Sequence, residues 1–253
     1  MKIFESHTHL DLPDFNPDRQ DIIAKCRKNG IEYMINVGVD KSTIEASLRL
    51  ADKYDFIYAA VGFHPHDAAS YDREFVKAKA RHQKVVAIGE CGLDFYRNLS
   101  PVDLQKQVFA DQIELAMELN LPLIIHDRDA HEECLEILSR YHPPQVVFHC
   151  FSGDVAFAER VLNKGWFISF TGVVTYKNSQ LSDVVRIVPQ DRFFIETDSP
   201  YLSPVPLRGK RNSPLNLRYV IEKISEIRGL PPVRIAQCSY ENARQFFGIN
   251  DQS

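Results

Sequence analysis

Glu5-Ser6-His7-Thr8-His9 lies near the start of a 253-residue chain, directly after the apolar Ile3-Phe4. If this run is a strand, its side chains alternate faces, so His7 and His9 point the same way and Glu5 lies on that face one step deeper. Two imidazoles on one face make a ready metal-binding pair. A His-x-His alone is an ambiguous sign. Here it has company: Glu90, His126, His149 and Asp198 each stand at the end of another apolar, strand-like run, and His64 follows one more.

Three histidines and a carboxylate can satisfy one zinc. Four histidines and two carboxylates exceed what one ion needs and point to two metals sharing a bridging carboxylate. Two ions roughly 3.5–4 Å apart can hold a hydroxide between them and stabilise the attacking and leaving oxygens together. Glu90 is the expected bridge, because its strand lies midway between the first and last ligand strands. His7, His9 and Asp198 complete one site and His126 with His149 the other; Asp198 can also accept the proton of the attacking water. Carboxylate and imidazole suit Mg, Mn and Zn alike. His64 and His66 flank Pro65; His64 reads equally as a substrate contact or as a structural turn histidine. Cys91 and Cys150 each follow a ligand candidate, and alternation predicts them to be small buried hydrophobes turned from the site. His82, His131 and His142 are expected to be solvated, and Trp166 to serve packing.

From Ser199 to Ile221 the chain carries Arg208, Lys210, Arg211 and Arg218 and no acidic residue, stiffened by Pro200, Pro204, Pro206 and Pro214. A stiff basic loop beside a metal centre suits an anionic substrate, phosphate above all. Arg128, two residues past His126, adds to it. The candidate phosphate contacts are therefore Arg128, Arg208, Lys210 and Arg211.

The elements that position these residues follow from periodicity. Apolar, β-branched runs recur at Ile3-Phe4, Tyr33–Val39, Phe56–Phe63, Val85–Gly89, Leu121–Ile125, Val146–Phe148, Trp166–Phe170 and Phe193–Glu196. Their near-continuous apolarity predicts parallel strands buried on both faces. Helix signals lie between them. Asn16-Pro17 opens a helix closed by Asn29-Gly30, with Asn as cap. Ser100-Pro101-Val102-Asp103 resembles a capping box. Asp154 caps a helix ending near Lys164-Gly165. A helix through Leu217–Ile227 stops at Gly229, and a last one runs from about Pro232 to Phe247. Eight strand–helix units predict an α/β protein of the (β/α)8 TIM-barrel type, forming one domain over residues 1–253. The first strand is not followed by Gly-x-Gly-x-x-Gly, so nothing supports a dinucleotide fold. In a barrel the chemistry sits at the C-terminal strand ends, where all six ligand candidates fall.

Composition bounds the rest. Hydrophobic residues make up 44% and charged residues 25%, enough for a full core. A net charge of −4 leaves no global field to attract nucleic acid, so such binding must rest on a local patch. Five cysteines without framework spacing suit a reducing compartment, and no run approaches the ~18 apolar residues of a membrane span. The expected location is the cytoplasm.

Set in order, the motifs resemble the TatD-type metal-dependent deoxyribonucleases of the amidohydrolase superfamily. The matching stretches are Ser6–Leu10, Gly62-Phe63-His64-Pro65-His66, Gly89-Glu90-Cys91-Gly92-Leu93-Asp94-Phe95, Leu123–His126, His149-Cys150-Phe151-Ser152-Gly153, Glu196–Leu202, Arg208–Asn212, Asn242 and Phe247-Gly248. The resemblance implies a barrel with two divalent metals on His7, His9, Glu90, His126, His149 and Asp198. It also implies hydrolysis of DNA phosphodiesters, commonly as a 3′-end exonuclease aided by magnesium; the expected partner is DNA, single-stranded or at 3′ ends. Glu5 departs from the family's usual Asp and changes the packing under the first metal. Two other readings compete. One is a different amidohydrolase chemistry on esters or amides, including aminoacyl-tRNA; many such enzymes bridge their metals with a carboxylated lysine where this chain has Glu90. The other is a nucleic-acid-binding barrel with structural metals.

Overall fold

The computed structural model of the protein describes residues 1–249; the last four residues of the expected 1–253 domain lie outside the described residues. Eight parallel strands form one sheet in chain order: β1 (Ile3–Thr8), β2 (Ile31–Gly38), β3 (Ile57–Val61), β4 (Val85–Asp94), β5 (Leu123–Arg128), β6 (Val146–Phe148), β7 (Phe167–Phe170) and β8 (Phe193–Ile195). The described helices are α1 (Arg19–Lys28), α2 (Lys41–Lys53), α3 (Arg73–Ala80), α4 (Val102–Leu119), α5 (His131–Tyr141), α6 (Val155–Asn163), α7 (Leu181–Ile187), α8 (Leu217–Arg228) and α9 (Pro232–Phe246). This is the expected (β/α)8 TIM barrel. No helix among the described residues is long and apolar enough to cross a membrane.

Neighbouring strands pair in parallel around the barrel from β1 to β8, with register shifts between β1 and β2, β3 and β4, and β4 and β5. The seam between β8 and β1 is looser, with one bridge, Thr8 to Ser199. Side chains supply what the ladder lacks there. The Glu5 carboxylate accepts from the Thr197 N–H (2.9 Å), the Thr197 hydroxyl (2.7 Å) and the His7 N–H (3.2 Å). Ser6 Oγ donates to the Ile195 carbonyl (3.1 Å), and Asn212 Nδ2 to the Thr197 carbonyl (3.0 Å). Buried backbone groups need partners, and polar residues at the seam provide them without a ladder. The longer Glu5 thus closes the barrel beneath the site, and burial, outweighing these bonds, raises its carboxyl well above the usual range.

Two apolar layers fill the molecule. One lies between barrel and helices. The other fills the barrel around Phe4, Val37, Ala87, Ile124 and Phe194, and Phe246 and Phe247 close it at the strand starts. Trp166 is buried as expected, its indole N–H on the Pro143 carbonyl (3.1 Å).

Local capping chemistry sets some helix starts and not others. Asp40, Asp72 and Asp154 cap α2, α3 and α6 through side-chain bonds at N3. The first helix starts at Arg19, not at Pro17. A 3-10 turn over Pro13–Phe15 intervenes, and Arg19 reaches back to the carbonyls of Leu10, Asp11 and Leu12. Ser100 is not a cap of α4; its hydroxyl donates to the His66 carbonyl (2.7 Å). His131 is not simply solvated, since it bonds Asp127 (2.7 Å) and stacks on Phe157. His82 pairs with Asp52 (3.1 Å), while His142 is exposed as expected.

Candidate metal centre

The strand ends bring His7, His9, Glu90, His126, His149 and Asp198 together, with His64 beside them. His7 sits within β1 and His9 one residue past it; Glu90 and His126 lie within β4 and β5; His149 and Asp198 follow β6 and β8. Asp198 takes a left-handed backbone (φ 53°). Its N–H donates to the His7 carbonyl (3.0 Å), and its own carbonyl accepts from the Tyr201 N–H (2.9 Å). A non-glycine residue held in that region costs of order 1–3 kcal/mol, and such residues gather at functional sites. Cys150 is left-handed too (φ 45°) and lines the cleft, so the expectation that alternation turns it away is corrected: the chain has left the strand by then. Cys91, inside β4, is buried as expected.

The ligand atoms form two clusters. In the first, His7 Nε2 lies 3.2 Å from His9 Nε2 and 3.1 Å from Glu90 Oε2, and Asp198 Oδ1 lies 3.3 Å from His9 Nε2 and 3.7 Å from His7 Nε2. In the second, Glu90 Oε1 lies 2.8 Å from His126 Nδ1 and 3.1 Å from His149 Nε2, which stand 3.4 Å apart. Ligands at about 2.0–2.2 Å from one ion stand roughly 3.0–3.5 Å apart, so each cluster matches a coordination shell. Glu90 gives one oxygen to each. The outward nitrogens are oriented as well: His9 Nδ1–H donates to the Val37 carbonyl (2.9 Å), His126 Nε2 faces Asp94 Oδ2 (3.2 Å), and His149 Nδ1 faces Glu196 Oε1 (3.5 Å). The Cys150 N–H, donating to Glu196 Oε1 (2.7 Å), fixes that carboxylate.

Charge and burial pull against each other here. Burial raises the Glu90 carboxyl, but the imidazoles of His149, His126 and His7 outweigh it and hold it well below the usual range. Burial lowers His9, and the bond and charge of Asp198 with the charge of Glu90 reverse this, pushing it up to about 9. His149 is raised the same way by Glu90 and Glu196 against burial. His7 and His64 are depressed, by burial first and then by a neighbouring imidazole, His149 and His126 respectively. The inward ring nitrogens and the Glu90 oxygens crowd within hydrogen-bond distance of one another. Such a set of imidazoles and carboxylates fits a metal ion.

The clusters floor a cleft of about 730 Å³. His64 lines it, with Nε2 3.3 Å from His126 Nδ1 and 3.5 Å from Glu90 Oε1. Arg128 lines it with its guanidinium 4.2 Å from the ring centre of Tyr96, which is 63% exposed. Arg97 also lines it, and neither guanidinium has a carboxylate partner among the described residues. From the basic loop only Tyr201 (54% exposed) and Leu202 reach the lining. Arg208 packs on Tyr176 (4.1 Å) and Lys210 is exposed outside the cleft. Arg211 is not free for substrate: it pairs with Asp18 (2.6 Å) and covers Phe15.

Sequence reasoning missed three residues that bear on this site. Asp94 escapes the apolar-run pattern because β4 continues beyond Gly89; the period-2 series Glu90, Gly92, Asp94 is its signal. Glu196 stands two residues before Asp198 and could have been found the same way. Arg97 carried no signal, since its place depends on the path of the loop.

A family model described as TatD related DNase matches residues 4–248. The uncharacterized metal-dependent hydrolase YabD of Bacillus subtilis is 42% identical, over 98% of this chain and 100% of its own. The 3'-5' ssDNA/RNA exonuclease TatD of Salmonella typhimurium is 33% identical, over 98% of this chain and 99% of its own. The crystal structure of YJJV, a TatD homolog from Escherichia coli K12, superposes with a TM-score of 0.92 at 29% identity, covering 98% of each chain. The barrel, its strand-end ligand set and these relatives agree: the chain belongs to the TatD family of metal-dependent hydrolases.

Proposed function

We propose that the protein is a nuclease that removes nucleotides from single-stranded DNA, starting at the 3′ end and using two divalent ions (Mg, Mn or Zn). The observation that carries this reading is the Glu90 carboxylate, which gives one oxygen to each of two ligand clusters at the floor of an open cleft edged by unpaired guanidiniums. His7, His9 and Asp198 would hold one ion and His126 and His149 the other, with Glu90 placed to serve either. Bound there, the ions supply Lewis-acid polarisation of a phosphoryl oxygen and a lowered pKa for water.

The chain's own residues do the rest. Asp198, at the open edge of its cluster, takes the proton of the attacking water. His64, kept neutral by burial and by His126, offers a hydrogen bond and not a charge to a phosphate oxygen. Arg128 and Arg97 hold the phosphate, with Arg208 and Lys210 available to a strand approaching outside the cleft. Exposed Tyr96 and Tyr201 offer faces for unpaired bases, worth about 1–3 kcal/mol each in such sites. The relative named as a 3'-5' ssDNA/RNA exonuclease supports the choice of substrate. Five free cysteines fit work in a reducing cytoplasm.

The test is hydrolysis of single-stranded DNA labelled at either end, with magnesium or manganese, run beside an aminoacyl-tRNA and a simple carboxylic ester. Stepwise release of mononucleotides from the 3′ end is expected. Intact DNA with rapid cleavage of either ester would replace this reading with carboxylic-ester hydrolysis.

A further inference from the structure

Past Glu90, β4 runs on through Cys91, Gly92 and Leu93 to Asp94, side by side with β5. Gly92 pairs with His126 in this register and has φ 144°. A Cβ there would come within 2.0 Å of the His126 carbonyl oxygen, so only glycine lets the two strands approach this closely. The approach places Asp94, 1% exposed, against the outer edge of the His126 ring. Its Oδ2 lies 3.2 Å from His126 Nε2 and 3.0 Å from His66 Nε2, and its Oδ1 accepts from the Arg97 N–H (2.7 Å).

Asp94 is itself held. The wholly buried Gln105 of α4 accepts from the Asp94 N–H (2.9 Å) and donates to the carbonyls of Asp94 (3.3 Å) and Ser100 (2.8 Å). A carboxylate clamped this way fixes the ring it faces. An ionised carboxylate only accepts, so Asp94 keeps a proton on His126 Nε2, and a metal beside Glu90 and His149 would take the place of the proton that Glu90 otherwise accepts from Nδ1. Nδ1 is the atom that stands 2.8 Å from Glu90 Oε1.

We infer that Asp94 is a positioning residue that locks His126 in the Nε2–H form and so presents Nδ1 to the metal, with His66 and Gln105 holding Asp94 in place. The inference rests on the reading of His126 as a ligand. Its consequence is selective: loss of Asp94 weakens the His126–His149 half of the centre and spares the His7–His9 half. Outer carboxylates on ligating histidines are typically worth about 10- to 100-fold in metal affinity.

The experiment uses the full chain, labelled with 15N at histidine and loaded with zinc or with cadmium-113. In the wild type, the His126 ring is expected to show a proton on Nε2 and coupling of the metal to Nδ1. A proton on Nδ1, or coupling through Nε2, would overturn the inference. A His126 ring that does not respond to metal would remove the reading on which it rests, whatever Asp94 does. Asp94→Asn can donate its amide to Nε2 and favour the wrong form. In chelator competition it is expected to lose about 10- to 100-fold in affinity for one of two ions, with Asp94→Glu recovering part of the loss. Unchanged affinity in folded Asp94→Asn would contradict the inference. So would equal loss of both ions without rescue by Asp94→Glu, which marks a merely structural role. If neither variant folds, the proton position and metal coupling in the wild type decide alone.

Discussion

Strands β1 and β8 carry aromatic plugs at their starts and proposed metal ligands at their ends. At the starts, Phe4 stacks on Phe247 (5.9 Å) and Phe194 meets Phe246 edge-on (5.1 Å), so that α9 seals the barrel with apolar surface. At the ends, a few residues on, β1 presents His7 and leads into His9, and the chain leaving β8 carries Glu196 and Asp198. The starts bury rings whose transfer from water stabilises the fold. The other end buries ionisable groups, and burying charge without full compensation destabilises it. Folding free energy is gathered at one end and spent at the other, which leaves the site free to be shaped by its ligands.

The most severe way to break this division is at the bridge. Glu90→Gln should leave a folded barrel with little bound metal at either cluster and activity reduced by at least ~10² to 10⁴, checked by elemental analysis beside a nuclease assay. Asp198→Asn should keep the second cluster's metal and lose activity in a similar range, because both a ligand and a base are altered; near wild-type turnover would remove Asp198 from the chemistry. At the opposite end, Phe246→Ala should cost about 3–5 kcal/mol in denaturant unfolding and leave activity per folded molecule unchanged.

The division also sets a pH dependence. His9 is pushed up to about 9, so below that pH the metal-free imidazole carries a proton that a metal must displace. Metal affinity of the His7–His9–Asp198 cluster should therefore rise with pH up to about 9, and calorimetry in buffers of different ionisation heat should register proton release at neutral pH. The same raised value stabilises the metal-free fold below the unfolded pKa near 6.5, and that contribution is lost as pH climbs through about 9. The smallest expected effect is at the rim. Arg128→Ala should weaken single-strand binding and lower the salt slope by about 0.7, one phosphate contact, with metal content intact. Arg211→Ala, which frees Asp18, should change binding less than Arg128→Ala does.

The two ends were not equally legible in the sequence. The apolar runs place all eight strands, because a strand buried on both faces needs continuous apolar residues. The ligand set is readable for the same reason: His126, His149 and Asp198 interrupt that apolarity where the strands stop. What escaped is what depends on pairing across the fold. Arg211 looks like a free cation until Asp18, 193 positions away, is brought beside it. Asp94 looks like a loop residue until Gly92 lets β4 extend along β5. Asn16-Pro17 carries a complete local helix signal, yet the turn anchored by buried Phe15 and the reach of Arg19 delay the helix. Local chemistry proposes an element there, and packing moves its boundary.

The account rests on Glu90 joining two metal sites in a single centre. Anomalous diffraction from crystals loaded with manganese tests this most directly. Two peaks about 3.5–4 Å apart are expected, one among His7, His9 and Asp198, the other between His126 and His149, with Glu90 between them. A single peak at saturating manganese, or two peaks that do not share Glu90, would contradict it.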